Sequence, residues 1–297
     1  MGNCEFNAEL DHVKNNLVSA EDNTVVFKIS AFEQDFVLEL QSDTSFIAPA
    51  FSTHTDATAH NSAHTEDLSR CFYAGEVNSD PYSYAALSLC KGLQGAFGYD
   101  GWEYFIKPAL NDTDWDSVHA HLISRRSNAN LSGNSASRCG VDSGVTPALA
   151  QSLAKFKHLR EQHMNNVTMS VLKNRSKRFV SIPRYVETLV VADESMAKFH
   201  GDDLKHYVLT LMSVAAKLYK HPTILNSINI VVVKFMVINE EEKGPKVSGN
   251  AAMTLRNFCT WQKKLNKNSD KHAEYWDTAI LFTKEVRGQY ENQRILK

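Results

Sequence analysis

From Ile228 to Ile238 the chain reads Ile-Asn-Ile-Val-Val-Val-Lys-Phe-Met-Val-Ile, a nearly continuous β-branched and apolar run. It does not alternate polar with apolar residues, so the strand it predicts has no solvent face and needs cover on both sides. That requirement selects a layered fold in which helices flank a sheet. The neighbouring sequence supplies the layers. Tyr185 to Ala192 is a second apolar strand, interrupted by Glu187, and Thr278 to Thr283 is a third. A carboxylate at position 187 has to lie near the strand end, be paired, or hold a cation, because burying it bare is costly. Asp202 and Asp203 open an amphipathic helix on which Leu204, Tyr207, Val208, Leu211, Ala215, Leu218 and Tyr219 recur at helical spacing. Lys205 and His206 fall on its polar side in this reading. After the turn from Glu240 to Pro245, Ser248 is the expected N-cap of a second helix with Ala252, Leu255, Phe258, Cys259, Gln262 and Leu265 on one face. Strand, helix, strand, helix, strand in this order predicts an α/β domain with a mainly parallel sheet and right-handed crossovers.

Immediately before this domain stands Lys173-Asn174-Arg175-Ser176-Lys177-Arg178. It ends a polar, Ser- and Asn-rich stretch from Asp112 to Val171 whose one helical pattern is Ala148 to His163. Arg175, Lys177 and Arg178 in an extended linker suit the acidic groove of a basic-site processing protease, where guanidinium forks and an ammonium pair with carboxylates. A solvated basic linker or a nuclear-localisation patch is the bland alternative for such a run. A separate domain on each side favours a maturation boundary between a propeptide and the domain it controls.

The N-terminal side is rich in strands. Thr24 to Ile29 and Asp35 to Leu40 read as two of them, and Ser42 to Asp67 reads as a loop without a period. Its histidines, His54, His60 and His64, lack helical spacing and acidic or thiol partners, so no metal is assigned there. From Cys71 to Gly98 and from Trp102 to Pro108 the sequence is β-rich, punctuated by Asn78-Ser79-Asp80-Pro81 and by glycines. Cys71 and Cys90 sit at the two ends of a strand–turn–strand pattern. They are either two buried thiols or a disulfide, which an oxidising compartment favours. The five cysteines are odd in number, so one at least pairs outside this set or stays free. Sequons at Asn111, Asn130, Asn166 and Asn174 favour export. Met1 to Phe6 carries no signal-peptide pattern. No apolar stretch approaches the roughly 20 residues of a membrane span. A net charge of −2 gives no general affinity for polyanions, so no nucleic-acid partner is expected.

Several blocks resemble the ADAMTS family, the secreted reprolysin-type metalloproteases with thrombospondin motifs. Cys71-Phe72-Tyr73-x-Gly75-x-Val77-Asn78-x-Asp80-Pro81, then Ala85-Ala86-Leu87-Ser88-Leu89-Cys90, then Glu103-Tyr104-Phe105-Ile106-x-Pro108, look like its propeptide. Arg184-Tyr185-Val186-Glu187-Thr188, His206 to Leu211, Thr254-Leu255-Arg256-Asn257-Phe258-Cys259-x-Trp261-Gln262 and Asp277 to Thr283 look like the first half of its catalytic domain, in the branch that includes proteoglycan-cleaving members. The resemblance runs from about Val25 to Glu285. It implies a propeptide over residues 1–178, with a β-rich core at about 24–110 and a polar linker at 111–178. An incomplete reprolysin-like domain, a mostly parallel sheet with packed helices, then covers 179–297, with a divergent tail at 286–297.

The resemblance also implies two metals, zinc and calcium. By position, Glu187, Asp270 and Asp277 match the family's structural calcium ligands, and three carboxylates would supply part of the oxygen shell a hard cation requires. Cys139, in Cys139-Gly140-Val141, falls where the family's cysteine switch places a thiolate on the open position of the zinc. A disulfide to Cys4 is the rival reading. Cys259 is bonded in the family to a later cysteine. The family's zinc signature, H-E-x-x-H-x-x-G-x-x-H, joins a helical histidine pair to a glutamate that activates water. None of the twelve histidines here is followed by glutamate, and after Glu285 the chain reads Val286 to Lys297 instead. No catalytic residue is therefore assigned. The expectation is the precursor of a secreted zinc metalloendopeptidase of the extracellular matrix, cut off before its zinc helix and inactive alone. Its implied partners are a convertase at Arg178 and matrix proteoglycans. The alternative is a non-catalytic secreted product acting as decoy, inhibitor or folding aid.

Overall fold

The computed structural model describes residues 9–21, 24–54, 68–109, 120–127, 183–224, 226, 228–238 and 244–284. Three dipeptides, Phe32-Glu33, Asn78-Ser79 and Asp100-Gly101, have positive φ at both positions. Each joins an antiparallel strand pair, because a two-residue turn of this hand matches the twist of the strands it connects. These hairpins build the first architecture from β1 (Glu9–Glu21), β2 (Thr24–Ala31), β3 (Gln34–Ser42), β5 (Phe72–Val77), β6 (Asp80–Ser88), β7 (Gln94–Tyr99), β8 (Trp102–Pro108) and β9 (Ala120–Ser127). Each strand pairs with the next and β9 returns to β1, which closes an eight-stranded antiparallel barrel. A barrel of this size is filled by its own side chains. Phe36, Phe97 and Tyr104 pack with ring centroids 4.8–5.2 Å apart, among buried Ile29, Leu38, Leu40 and Ile123. On the outside, a Cβ on Gly98 would come within 2.2 Å of the ring of its cross-strand partner Tyr84, so only glycine fits under that ring.

One strand between β3 and β5 stands apart from the barrel. β4 (Ile47–His54) pairs in parallel with β11 (Ile228–Val237) in a second sheet, which also contains β10 (Arg184–Ala192) and β12 (Thr278–Phe282). The order is β12-β10-β11-β4. Helices α1 (Glu194–His200), α2 (Leu204–Tyr219) and α3 (Ala251–Leu265) accompany this sheet. The Oδ1 of Asp193 accepts from the Met196 N–H at 3.0 Å and so caps α1. Burial alternates along the central strands. Val190, Ala192, Val232 and Phe235 pack with Val208, Leu209 and Met212 of α2. Leu189, Val191 and Val233 face Phe258 of α3 and the buried Trp276.

Residues 8–128 and 183–297 form one compact unit, so the barrel and the second sheet belong to the same body. The fold is mixed α/β as expected, yet most strands lie in the antiparallel barrel, and parallel pairing is confined to the four-stranded sheet. The expected loop from Ser42 to Asp67 contains β4. The strands on the N-terminal side reach from residue 9 to residue 127, with β9 inside a stretch expected to be polar and irregular. Asp202 and Asp203 lie in a 3-10 turn, Gly201–Asp203, ahead of α2. The buried set of α2 includes Leu209, Met212, Thr210, Ser213 and His206, whereas Leu211 is exposed. The helix is covered from two sides, by the sheet and by the barrel strands β5, β6 and β7. On α3 it is Thr254 and Phe258 that turn inward, while Leu255 is 61% exposed and Cys259 is exposed. The N-cap of α3 is Asn250, whose Oδ1 accepts from Met253 at 3.1 Å. Ser248 instead bonds to Thr254, its N–H donating to the Thr254 Oγ1 at 2.9 Å. The helical pattern from Ala148 to His163 lies outside the described residues.

Candidate functional site

Glu187 sits in β10, and Asp277 immediately precedes the parallel neighbour β12. Two hydrogen bonds tie the pair: the Asp277 N–H donates to the Glu187 carbonyl at 2.8 Å, and the Glu187 N–H donates to the Asp277 Oδ2 at 3.0 Å. The loop carrying Asp270 is anchored on either side of it. The Asn266 Nδ2 donates to the Trp276 carbonyl at 2.7 Å, and the Trp276 Nε1 donates to the Gln262 Oε1 at 2.7 Å. Glu274, on the same loop, pairs with Lys234 at 3.2 Å and with Lys267 at 3.5 Å.

The electrostatics of this corner are those of a site short of positive charge. Burial pushes the Glu187 carboxyl above its ordinary value, and the negative charges of Asp277 and then Asp270 add to the shift. A bound cation would relieve the Glu187 carboxylate, and carboxylate oxygens suit a hard one. Among the described residues, however, no three His, Cys, Asp or Glu side chains are grouped to hold a metal ion. The structure therefore joins Glu187 to Asp277 and brings the charge of Asp270 to bear on Glu187, short of a complete cage.

Several described histidines serve hydrogen bonds within the protein. The His121 Nε2 accepts from the Leu93 N–H at 2.9 Å, and the His272 Nδ1 accepts from the Glu274 N–H at 3.0 Å. His206 corrects the sequence reading most clearly. Expected on the polar side of α2, it is 3% exposed, with its Nε2 2.6 Å from the Oγ of Ser88 on β6. It also stacks on Phe72. Around it lies the junction between barrel and sheet. Lys91 pairs with Asp203, Lys220 donates to the Ser45 Oγ at 2.6 Å, and the His221 ring nitrogen is 2.8 Å from the Tyr82 carbonyl. None of this cross-junction pairing was legible in the sequence, because the partners are more than a hundred residues apart and individually ordinary.

Cys71 and Cys90 form a disulfide, with Cα atoms 5.0 Å apart, and Cys259 is a free, exposed thiol. Cys4, Cys139, the basic run with Arg175, Lys177 and Arg178, and the sequon residues Asn111, Asn130, Asn166 and Asn174 lie outside the described residues. Among the described residues, no helix is long and apolar enough to cross a membrane.

Comparison with known proteins places two matches on this geometry. Residues 6–78 match a family described as the reprolysin family propeptide. Residues 184–294 match the reprolysin (M12B) family zinc metalloprotease, which carries the likeness into the stretch expected to be a divergent tail. A disintegrin and metalloproteinase with thrombospondin motifs 15 from Homo sapiens is 55% identical over 271 residues, covering 89% of this chain and 28% of the relative. A disintegrin and metalloproteinase with thrombospondin motifs 1 from Rattus norvegicus is 46% identical over 289 residues, covering 89% of this chain and 30% of the relative. The human protein numbered 8 in the same series is 40% identical over 269 residues, with 86% and 30% covered. The chain spans less than a third of the length of these relatives.

Proposed function

This chain belongs to the ADAMTS family, the disintegrin and metalloproteinases with thrombospondin motifs, and from that premise we propose that it is the pro-form part of an exported zinc metalloendopeptidase of the extracellular matrix. One observation carries the reading: a propeptide match and a zinc-metalloprotease match stand in one chain, on either side of Arg175-x-Lys177-Arg178. In this proposal residues 1–178 are the propeptide and 179–297 the protease portion. A basic-site convertase cuts after Arg178, and Cys139 would supply a thiolate ligand to the zinc of the whole protein, where one is bound, and so keep it latent until then. Glycans are accepted at Asn111, Asn130, Asn166 and Asn174, the last within the cut site itself.

Zinc, when bound, supplies a Lewis acid and a water of lowered pKa. This sequence holds no H-E-x-x-H, so neither the ligands nor the base is assigned to any of its residues. We propose that the chain by itself cuts no peptide bond. Calcium would be held by Glu187, Asp270 and Asp277; the hydrogen bond from the Glu187 N–H to the Asp277 Oδ2 and the Glu187 carboxyl, raised by burial first and by the two aspartates after it, support this. Matrix proteoglycans as substrates rest on the branch of the family alone.

The test is expression behind a heterologous signal peptide in cells that contain basic-site convertases. The expected outcome is a secreted fragment beginning at Phe179, lost in Arg178→Ala. Resistance of the folded, secreted protein to a purified convertase overturns the maturation reading.

A further inference from the structure

The barrel side of this chain gives one strand away. β4 begins where the Val232 N–H donates to the Phe46 carbonyl at 2.7 Å. It continues with Ser52, Thr53 and His54 opposite Lys234, Phe235 and Met236 of β11. Its anchors are apolar. Phe46 is buried and meets Phe72 edge-on with centroids 5.1 Å apart, Ile47 and Phe51 pack on the α2 side of the sheet, and Ala48 packs on the other side. Lys205 of α2 lies over the Phe51 ring, 5.7 Å from its centroid. Without β4, the apolar β11 would be an edge strand with a row of unpaired backbone groups, the feature that most invites wrong pairing.

We infer that Ile47–His54 is a donor strand and the outer edge of β11 its acceptor site, so that the two halves of this chain hold each other without the peptide that links them. The occupant of the site is thus a segment of the chain's own N-terminal half, recognised by main-chain hydrogen bonds and by the Phe46 and Phe51 side chains, in the manner of strand addition. The pairing at the Ser88–His206 bond and the Lys91–Asp203 ion pair extends the same surface onto the barrel wall. The inference concerns maturation only if the cut after Arg178 is real, but the contact itself does not depend on that cut.

The experiment therefore uses an engineered cut. In the full chain, residues 173–178 are replaced by a site for a sequence-specific protease, and the folded protein is cleaved and passed over a sizing column without denaturant. The halves are expected to co-elute, with the amides of Val232–Met236 exchanging as slowly as in the uncut chain. Separation at micromolar concentration overturns the inference, as does co-elution with those amides unprotected, which would leave the α2–barrel contact alone as the joint. Two variants of the same protein resolve the strand. Along a parallel strand the N–H groups of successive residues point to opposite sides, so Ser52→Pro and Thr53→Pro remove one donor aimed at β11 and one aimed away. One of the two should speed separation of the cut halves at least tenfold over the other, and equal rates overturn the donor-strand assignment. Failure of the native convertase site would leave all of these outcomes unchanged.

Discussion

Replacing His206 by leucine isolates the energy of the bond that crosses the junction. The Ser88 Oγ has no solvent exposure and lies 2.6 Å from the His206 Nε2. Truncating either partner leaves the other buried without that bond, which costs about 1–3 kcal/mol. Removing both leaves neither end of that bond unmatched, so its desolvation cost disappears with the second change. With each single variant, Ser88→Ala and His206→Leu, taken at about 2 kcal/mol, independent effects would sum to about 4 kcal/mol, and the double variant should instead fall near 2 kcal/mol. The coupling is then about 2 kcal/mol, within the range of contacting residues. Equilibrium urea unfolding with linear extrapolation measures all four proteins of the cycle. Additivity within about 0.5 kcal/mol would mean that the two side chains do not share a bond, and the reasoning fails.

Three further substitutions have defined outcomes. Converting Cys71 and Cys90 together to serine opens a crosslink of sequence separation 19, and the chain-entropy relation gives a loss of about 3 kcal/mol, read from the urea midpoint under non-reducing conditions. Ser52→Ala should leave stability unchanged or raise it by up to about 1 kcal/mol, because the Ser52 Oγ is buried without a hydrogen-bond partner; a clear loss would reveal a partner. The hydrogen bond from Lys91, foremost, holds the Asp203 carboxyl below its ordinary value of 3.8. A depressed carboxylate gives stability that is complete above that value and is lost as pH falls through the folded one. Lys91→Ala should therefore flatten part of the acid loss below pH 3.8, and an unchanged acid profile would remove the pair from the account.

The central strands were readable because burial on both faces writes itself into composition: Ile228 to Ile238 and Tyr185 to Ala192 have few polar residues to misplace. The hairpin at Asn78-Ser79 was readable from turn chemistry. β4 was not. Ser, Thr, Ala and His dominate its surroundings, and what makes it a strand is a partner about 180 residues downstream. The face of α2 was misjudged for a related reason. Apolar spacing locates one buried stripe, but a helix covered on two sides also buries His206, Thr210 and Ser213, and each is matched by a hydrogen bond. On α3, Leu255 and Leu265 satisfied the period and still face outward. Of the candidate cation site, the residues themselves offered only the misfit of Glu187 in an apolar strand. The tie to Asp277 comes from the register of β10 with β12, which no local pattern carries.

Pro49 gives β4 a consequence beyond the junction. It lies exposed in the strand, has no N–H to donate, and sits at a break in the register with β11. A strand so interrupted is a poor template for another on its outer side. The barrel, closed on itself, offers no edge at all. Among the described residues, the sheet order β12-β10-β11-β4 thus leaves Thr278–Phe282 as the edge without a proline, the one better suited to strand addition.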